Sequence, residues 1–266
     1  MTQPSIPAQS VRADAGAVLV GMVFPTLVTW LYFVALRHCP SAVQQTAYAL
    51  GKSLQFAFPL LWVFVLRPRW LRGNNAGGGQ QTPVASSSAR AMPRPARLAG
   101  IVQGLAFGAV IFAAILSGWH VWLQPAGFMA SATAAMAQKV SAFGVTSPAG
   151  FAAMAIFYAL VHSFLEEYYW RWFVFGQLQR LLPLPAAIVL SSLAFTVHHV
   201  IVLAAYFGWR SPATLIFSLG VAAGGAVWAW IYHRSGSLLG PWLSHMLADA
   251  AIFTVAYHMV RGAMGW

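Results

Sequence analysis

Seven apolar runs dictate what this chain can fold into. They cover roughly 16–36, 46–66, 98–119, 149–170, 186–207, 212–232 and 239–260. Each is long enough to cross a bilayer as a helix of ~20 residues. The expected fold is therefore all-α, a polytopic transmembrane helix bundle of about seven spans. Hydrophobic residues make up 59% of the 266, charged residues only 7%, and the mean hydropathy is +0.68. A soluble domain carries roughly a quarter charged residues, so this composition places the chain in the membrane. The polar start "MTQPSIPAQSVRADAG" leads into an apolar run too long for a signal-peptide core, which reads as a retained first span.

The net charge of +11 does not indicate nucleic acid. Six of the fifteen basic residues (Arg67, Arg69, Arg72, Arg90, Arg94 and Arg97) fall in one segment rich in Gly, Ser and Pro, and most others sit at the ends of apolar runs. No basic helix or aromatic single-strand platform accompanies them. The pattern is that of the positive-inside rule. With the 67–97 loop in the cytoplasm, ten basic residues lie inside and four outside (Arg37, Lys139, Arg210, Arg261), while Lys52 falls within the second span. The N-terminus is then cytoplasmic and the C-terminus outside. Thirteen Arg against two Lys, with abundant Ala, suggests a GC-rich bacterial genome and hence a bacterial inner membrane. The single Cys39 allows no intrachain disulfide and no Cys-x-x-Cys metal motif.

These features divide the chain into a tail with two spans (1–66), a flexible basic cytoplasmic loop (67–97), a third span with an outer segment (98–148) and a C-terminal membrane region (149–266). The Ala-rich stretch 126–147 fits either a helix lying in the membrane surface or an ordinary loop helix. Gly220 and Gly224 have the small-xxx-small spacing that lets helices approach closely.

Acidic residues are scarce: Asp14, Glu166, Glu167 and Asp249 are the four in the chain. An ionisable group inside a bilayer is costly and usually serves a function. Neighbours on a helix point about 100° apart, so Glu166 and Glu167 cannot face one partner. Glu167 and Arg171 are four apart with the acid first, the favourable order for an ion pair. Glu166 is left with no basic partner in its own helix apart from His162, which suits either general-base work or a hydrogen-bonded structural glutamate. His198 and His199 lie in the fifth span, and His245 and Asp249 share a face of the seventh. His38, His120, His233 and His258 fall at helix ends.

"EEYYWR" (166–171), "FTVHH" (195–199) and "HMLAD" (245–249) fit Glu-Glu-x-x-x-Arg, Phe-x-x-x-His and His-x-x-x-Asn/Asp. In that order on three late spans, the chain resembles the CPBP family of intramembrane proteases, which includes the type II CAAX prenyl endopeptidases. The resemblance covers about 149–260. It implies a cavity-containing catalytic bundle, glutamate-type peptide hydrolysis and a membrane-anchored protein or peptide as substrate, with the cavity open to the cytoplasmic half of the bilayer. It also implies that Glu166 and His199 activate a water, that His245 and Asp249 stabilise the oxyanion, and that Glu167 and Arg171 support the site. Spacing alone does not say whether His198 or His199 faces the site; the motif favours His199. Asp249 stands where Asn is common, and an ionised Asp accepts but cannot donate.

The resemblance implies no cofactor, although Glu166, His199 and His245 could supply three ligands to a zinc ion. A non-catalytic transporter, proton relay or immunity protein is the alternative from another class. Depth poses the sharpest question. Glu166 falls near the end of the run 149–170, whereas His199 lies about thirteen residues into 186–207, roughly 20 Å deep at 1.5 Å per residue.

Overall fold

The computed structural model describes residues 8–66, 93–127 and 129–266. Most of the basic loop, 67–92, and the first seven residues of the tail lie outside the described residues. Seven helices are long and apolar enough to cross a membrane: α1 (Arg12–Ala35), α2 (Ser41–Leu66), α3 (Arg94–Leu123), α5 (Pro148–Leu181), α6 (Leu184–Phe207), α7 (Pro212–Ser235) and α8 (Leu239–Val260). A shorter helix, α4 (Ala130–Ala142), lies between α3 and α5. The described residues contain no strand. Large apolar side chains such as Leu19, Leu54, Val102, Leu193 and Leu215 are exposed along the outside of the bundle, the inverse of a soluble surface and suited to lipid.

Three points differ from the sequence reading or decide between its alternatives. α3 begins at Arg94, so Arg94 and Arg97 form its first turn and do not belong to a loop. α4 packs Met129, Ala132 and Val140 into a cluster with Val255, Ala256 and Val260 of α8, which makes it a loop helix seated on the bundle. The third difference matters most. α5 runs to Leu181 and is 34 residues long. Its apolar run stops near residue 170 because Arg171 and Gln177 lower the local hydropathy, yet both are buried, 2% and 1% exposed. Polar groups turned into protein do not end a membrane helix. They continue it on a protein-facing side. Around them Tyr169, Trp170, Phe173, Val174 and Phe175 are almost fully buried. Pro183 and Pro185 then break the chain and open α6, with Pro185 in the first turn, where its missing N–H is harmless.

The closest helix contact joins α3 to α8. Gly100, Gly104 and Gly108 line one buried face of α3. A Cβ on Gly104 would lie 2.1 Å from the Gly240 carbonyl oxygen, and one on Gly240 would lie 2.2 Å from that of Gly100. Only hydrogen fits on either side, so the two backbones touch directly. The Gly220/Gly224 pair does not do this. Nothing lies within 4 Å of a Cβ on Gly220, and it is Gly225, one residue on, that meets Ser192 and Phe195 of α6. The small-residue spacing was legible there, but the face it packs was not. Gly104→Ala is expected to force α3 and α8 apart and cost about 1–3 kcal/mol, as overpacking does. A lower midpoint of thermal unfolding in detergent would register it.

A cavity of about 520 Å³ lies among the ends of α1, α2, α4 and α6, lined by Arg37, Gln44, Lys139 and Tyr206 among others. The Lys139 ammonium sits 4.3 Å from the centre of the Tyr32 ring, and desolvation by partial burial pulls its pKa below the ordinary lysine value. This space is at the opposite end of the bundle from the α5–α6 turn.

Candidate active site

The extended α5 removes the mismatch in depth. Glu166 and His199 each lie fifteen residues from Leu181 and Leu184, the two helix ends joined through Pro183. Both therefore sit roughly 22 Å from that turn at 1.5 Å per residue, and the two antiparallel helices bring them level. Around Glu166 the helix changes winding: Ser163–Glu167 is α-helical, flanked by wider π-helical turns at Phe157–His162 and Tyr168–Phe175. Such local widening is frequent at functional sites.

The adjacent carboxylates have separate partners. Glu167 is fully buried. Its Oε2 lies 3.2 Å from Arg171 Nε, and its Oε1 lies 2.8 Å from His245 Nδ1. The Arg171 guanidinium also reaches the Gly225 carbonyl at 3.4 Å and stacks against the rings of Phe195 and Trp228 at 4.7 and 5.2 Å. The contact with Glu167 is an ion pair by distance and not an aligned hydrogen bond. Two groups thus occupy Glu167.

Glu166 is held more loosely and from more directions. Its Oε1 lies 3.6 Å from His198 Nε2, 3.9 Å from His162 Nε2 and 3.9 Å from Lys52 Nζ. Its Oε2 lies 3.9 Å from His245 Nε2. All four separations exceed a good hydrogen bond, so the carboxylate is surrounded by polar groups without being consumed by them. It is 3% exposed.

The histidines differ in what their contacts permit. His199 Nδ1 lies 2.9 Å from the Phe195 carbonyl. A carbonyl only accepts, so Nδ1 carries the proton there and Nε2 presents a lone pair in the neutral ring. His198 is buried and lies parallel to the Trp170 ring, 5.6 Å between centroids and 4° between planes. His245 stacks on Trp228 at 4.3 Å and 15°. The indole N–H of Trp228 is donated to Ser244. With His245 Nδ1–H directed at Glu167, its Nε2 faces Glu166 and, at 3.8 Å, Asp249 Oδ1. That nitrogen can donate only when the ring is an imidazolium. By contrast His38, His120, His233 and His258 all fall at helix ends or in turns.

All eight residues singled out from the sequence, namely His162, Glu166, Glu167, Arg171, His198, His199, His245 and Asp249, thus come from α5, α6 and α8 to one level of the bundle. Ligand atoms of Glu166, His198 and His199 lie within 4.8 Å of one another, so the set that could hold a metal includes His198, where the sequence suggested His245. Zinc bonds of about 2.0–2.2 Å put tetrahedral ligands about 3.4 Å apart, and these three would have to close inward to bind it. Sequence reading missed Trp228, Trp170 and Lys52. The tryptophans gave no signal beyond aromatic content. Lys52 gave one, as a lysine inside an apolar run.

Residues 148–251 match the family model described as type II CAAX prenyl endopeptidase Rce1-like. This C-terminal segment belongs to the Rce1-like family. The Rce1-like segment runs from the first turn of α5 into α8 and contains every site residue on those helices, from His162 to Asp249. The family carries protease activity with it, and the seven apolar helices make the chain an integral membrane protein. Lys52 and the glycine face of α3 fall outside the Rce1-like segment. No curated protein and no solved structure matches the chain.

Proposed function

We propose that the chain is an intramembrane endopeptidase that hydrolyses a peptide bond near a membrane-anchored or C-terminal segment of its substrate, with water as nucleophile and Glu166 as base. One observation carries this reading. Of two adjacent buried carboxylates, Glu167 is taken up by Arg171 and His245, while Glu166 faces histidines from α6 and α8 with no close hydrogen bond of its own. A water lodged between Glu166 and the His199 Nε2 lone pair loses its proton to Glu166 as its oxygen attacks the scissile carbonyl. Glu166 then returns that proton to the departing amine. His245 Nε2–H, as imidazolium, donates to the oxyanion, with Asp249 and Glu167 setting the ring on either side. His198 and His162 bracket the base. No acyl-enzyme forms.

The proposed mechanism needs no metal. Lys52 Nζ is 3.9 Å from the same carboxylate oxygen, and an ammonium there opposes a second cation. Turnover is expected to survive EDTA unchanged; loss of turnover that only added zinc restores would assign Glu166, His198 and His199 to a metal. We place the N-terminus in the cytoplasm of a bacterial cell. In support, Arg94, Arg97, Arg180 and Arg234 gather at one end of the bundle, the last two in the final turns of their helices.

Mass spectrometry of membrane-protein C-termini tests the function directly, in host cells carrying wild-type protein or Glu166→Gln at matched expression. New termini that require Glu166 would support the peptidase and name its substrates. Identical termini, with both proteins folded, would refute it in favour of a transporter or immunity protein.

A further inference from the structure

The first two helices lie outside the Rce1-like segment, yet α2 reaches into the site. Lys52 is eleven residues from Ser41 and fourteen from Leu66, which puts it roughly 16 Å inside the span from its nearer end. A lysine near a helix end lets its ammonium escape to the interface; from this depth it cannot. Its side chain is 12% exposed, and Nζ lies 3.9 Å from Glu166 Oε1. The rings of Tyr48 and Phe56, one turn to either side on the same face, flank Nζ at 5.7 and 5.5 Å. Phe56 is in turn docked on α5. Its carbonyl accepts from the Tyr168 hydroxyl at 3.5 Å, and its ring meets those of His162 and Tyr169 edge-on. The ammonium is thus steered by its own helix and anchored to the helix that bears Glu166.

Charge balance gives the contact its meaning. Three carboxylates, Glu166, Glu167 and Asp249, converge here, and Arg171 is committed to Glu167. Asp249 shares His245 with both glutamates. Among the described residues the contacts of Glu166 are otherwise with histidines, whose charge depends on their protonation. Lys52 is the one lysine among those contacts.

We propose that Lys52 is a positioning residue for Glu166, a cation delivered by the second span from outside the Rce1-like segment that holds Glu166 as an oriented carboxylate. It acts through Glu166 and touches no substrate. The inference rests on the peptidase reading above. It makes α2 part of the catalytic assembly and gives the N-terminal third of the chain a chemical role.

The test uses the full chain and a peptide spanning a Glu166-dependent terminus. Lys52→Met is expected to lower kcat by at least about tenfold with KM within about twofold, and Lys52→Arg to recover most of the loss. The unfolding midpoint shows whether each variant is folded, and Lys52→Gln is read the same way should Lys52→Met not be obtained folded. Turnover of Lys52→Met within about twofold of wild type, or Lys52→Arg no better than Lys52→Met, would overturn the role. Glu166→Gln separates the two failures. If Glu166→Gln abolishes cleavage of the peptide while Lys52→Met keeps turnover within about twofold of wild type, this inference falls and the peptidase stands. If Glu166→Gln changes no terminus, both fall.

Discussion

Glu166→Gln is expected to lower turnover by about 10²–10⁴-fold, the usual contribution of a positioned general base, and to leave the fold intact. The two halves of that expectation have separate grounds. Glutamine keeps the shape of the side chain but cannot accept a proton from water at neutral pH. The fold tolerates it because the partners of Glu166 stand 3.6–3.9 Å away, longer than a good hydrogen bond, so an isosteric amide keeps the packing and gives up no close polar contact. Kinetics on a substrate peptide, with the unfolding midpoint measured beside them, check both halves. A folded variant retaining wild-type turnover would remove Glu166 from the chemistry.

The neighbouring pair should respond in the opposite sense. Arg171→Met is expected to destabilise the protein by about 3–5 kcal/mol, because removing one partner of a buried ion pair strands the other. Arg171 and Glu167 are 2% and 0% exposed, in contact at 3.2 Å. The guanidinium also fills the space between Phe195 and Trp228 and supplies a donor to Gly225. Adding Glu167→Gln should restore part of the loss, since no uncompensated charge then remains. Recovery is incomplete because His245 loses its carboxylate acceptor. Unfolding midpoints of the two single variants and the double variant give the coupling. Additive effects would mean that the two charges do not depend on one another. Residues one position apart in sequence are thus expected to divide the work, Glu166 affecting rate and Glu167 affecting stability.

Helix type and number were legible because a bilayer imposes a length and a composition that few sequences meet by accident. The Glu167–Arg171 pair was legible for the same local reason, a four-residue spacing on one helix. What escaped was non-local. Hydropathy ended α5 early because it scores Arg171 and Gln177 as though they met lipid, when α1, α6 and α7 cover that level of the bundle. The apparent 20 Å offset between Glu166 and His199 followed from that error. The choice between His198 and His199 stayed open because adjacent residues both come near the carboxylate, His198 by Nε2 at 3.6 Å and His199, its ring fixed on the Phe195 carbonyl, within 4.8 Å. Lys52 was visible as an anomaly, but its partner lies more than a hundred residues away, and no periodicity links them.

The glycine contact between α3 and α8 has a consequence for how such a site can change over time. Gly240 lies five residues before His245, and its backbone rests on Gly100 and Gly104 without an intervening side chain. The thickness of that contact therefore sets how far His245 projects toward Glu166, much as a shim sets the gap in a machine. One methyl group added at Gly104 of α3, a helix that contributes no side chain to the cluster around Glu166, would have to move the Gly240 backbone, and His245 with it, by about 1 Å to relieve the 2.1 Å approach. Variation that tunes this site need not touch the segment that matches the family model, and a graft of that segment onto other helices would inherit the residues without inheriting the spacing.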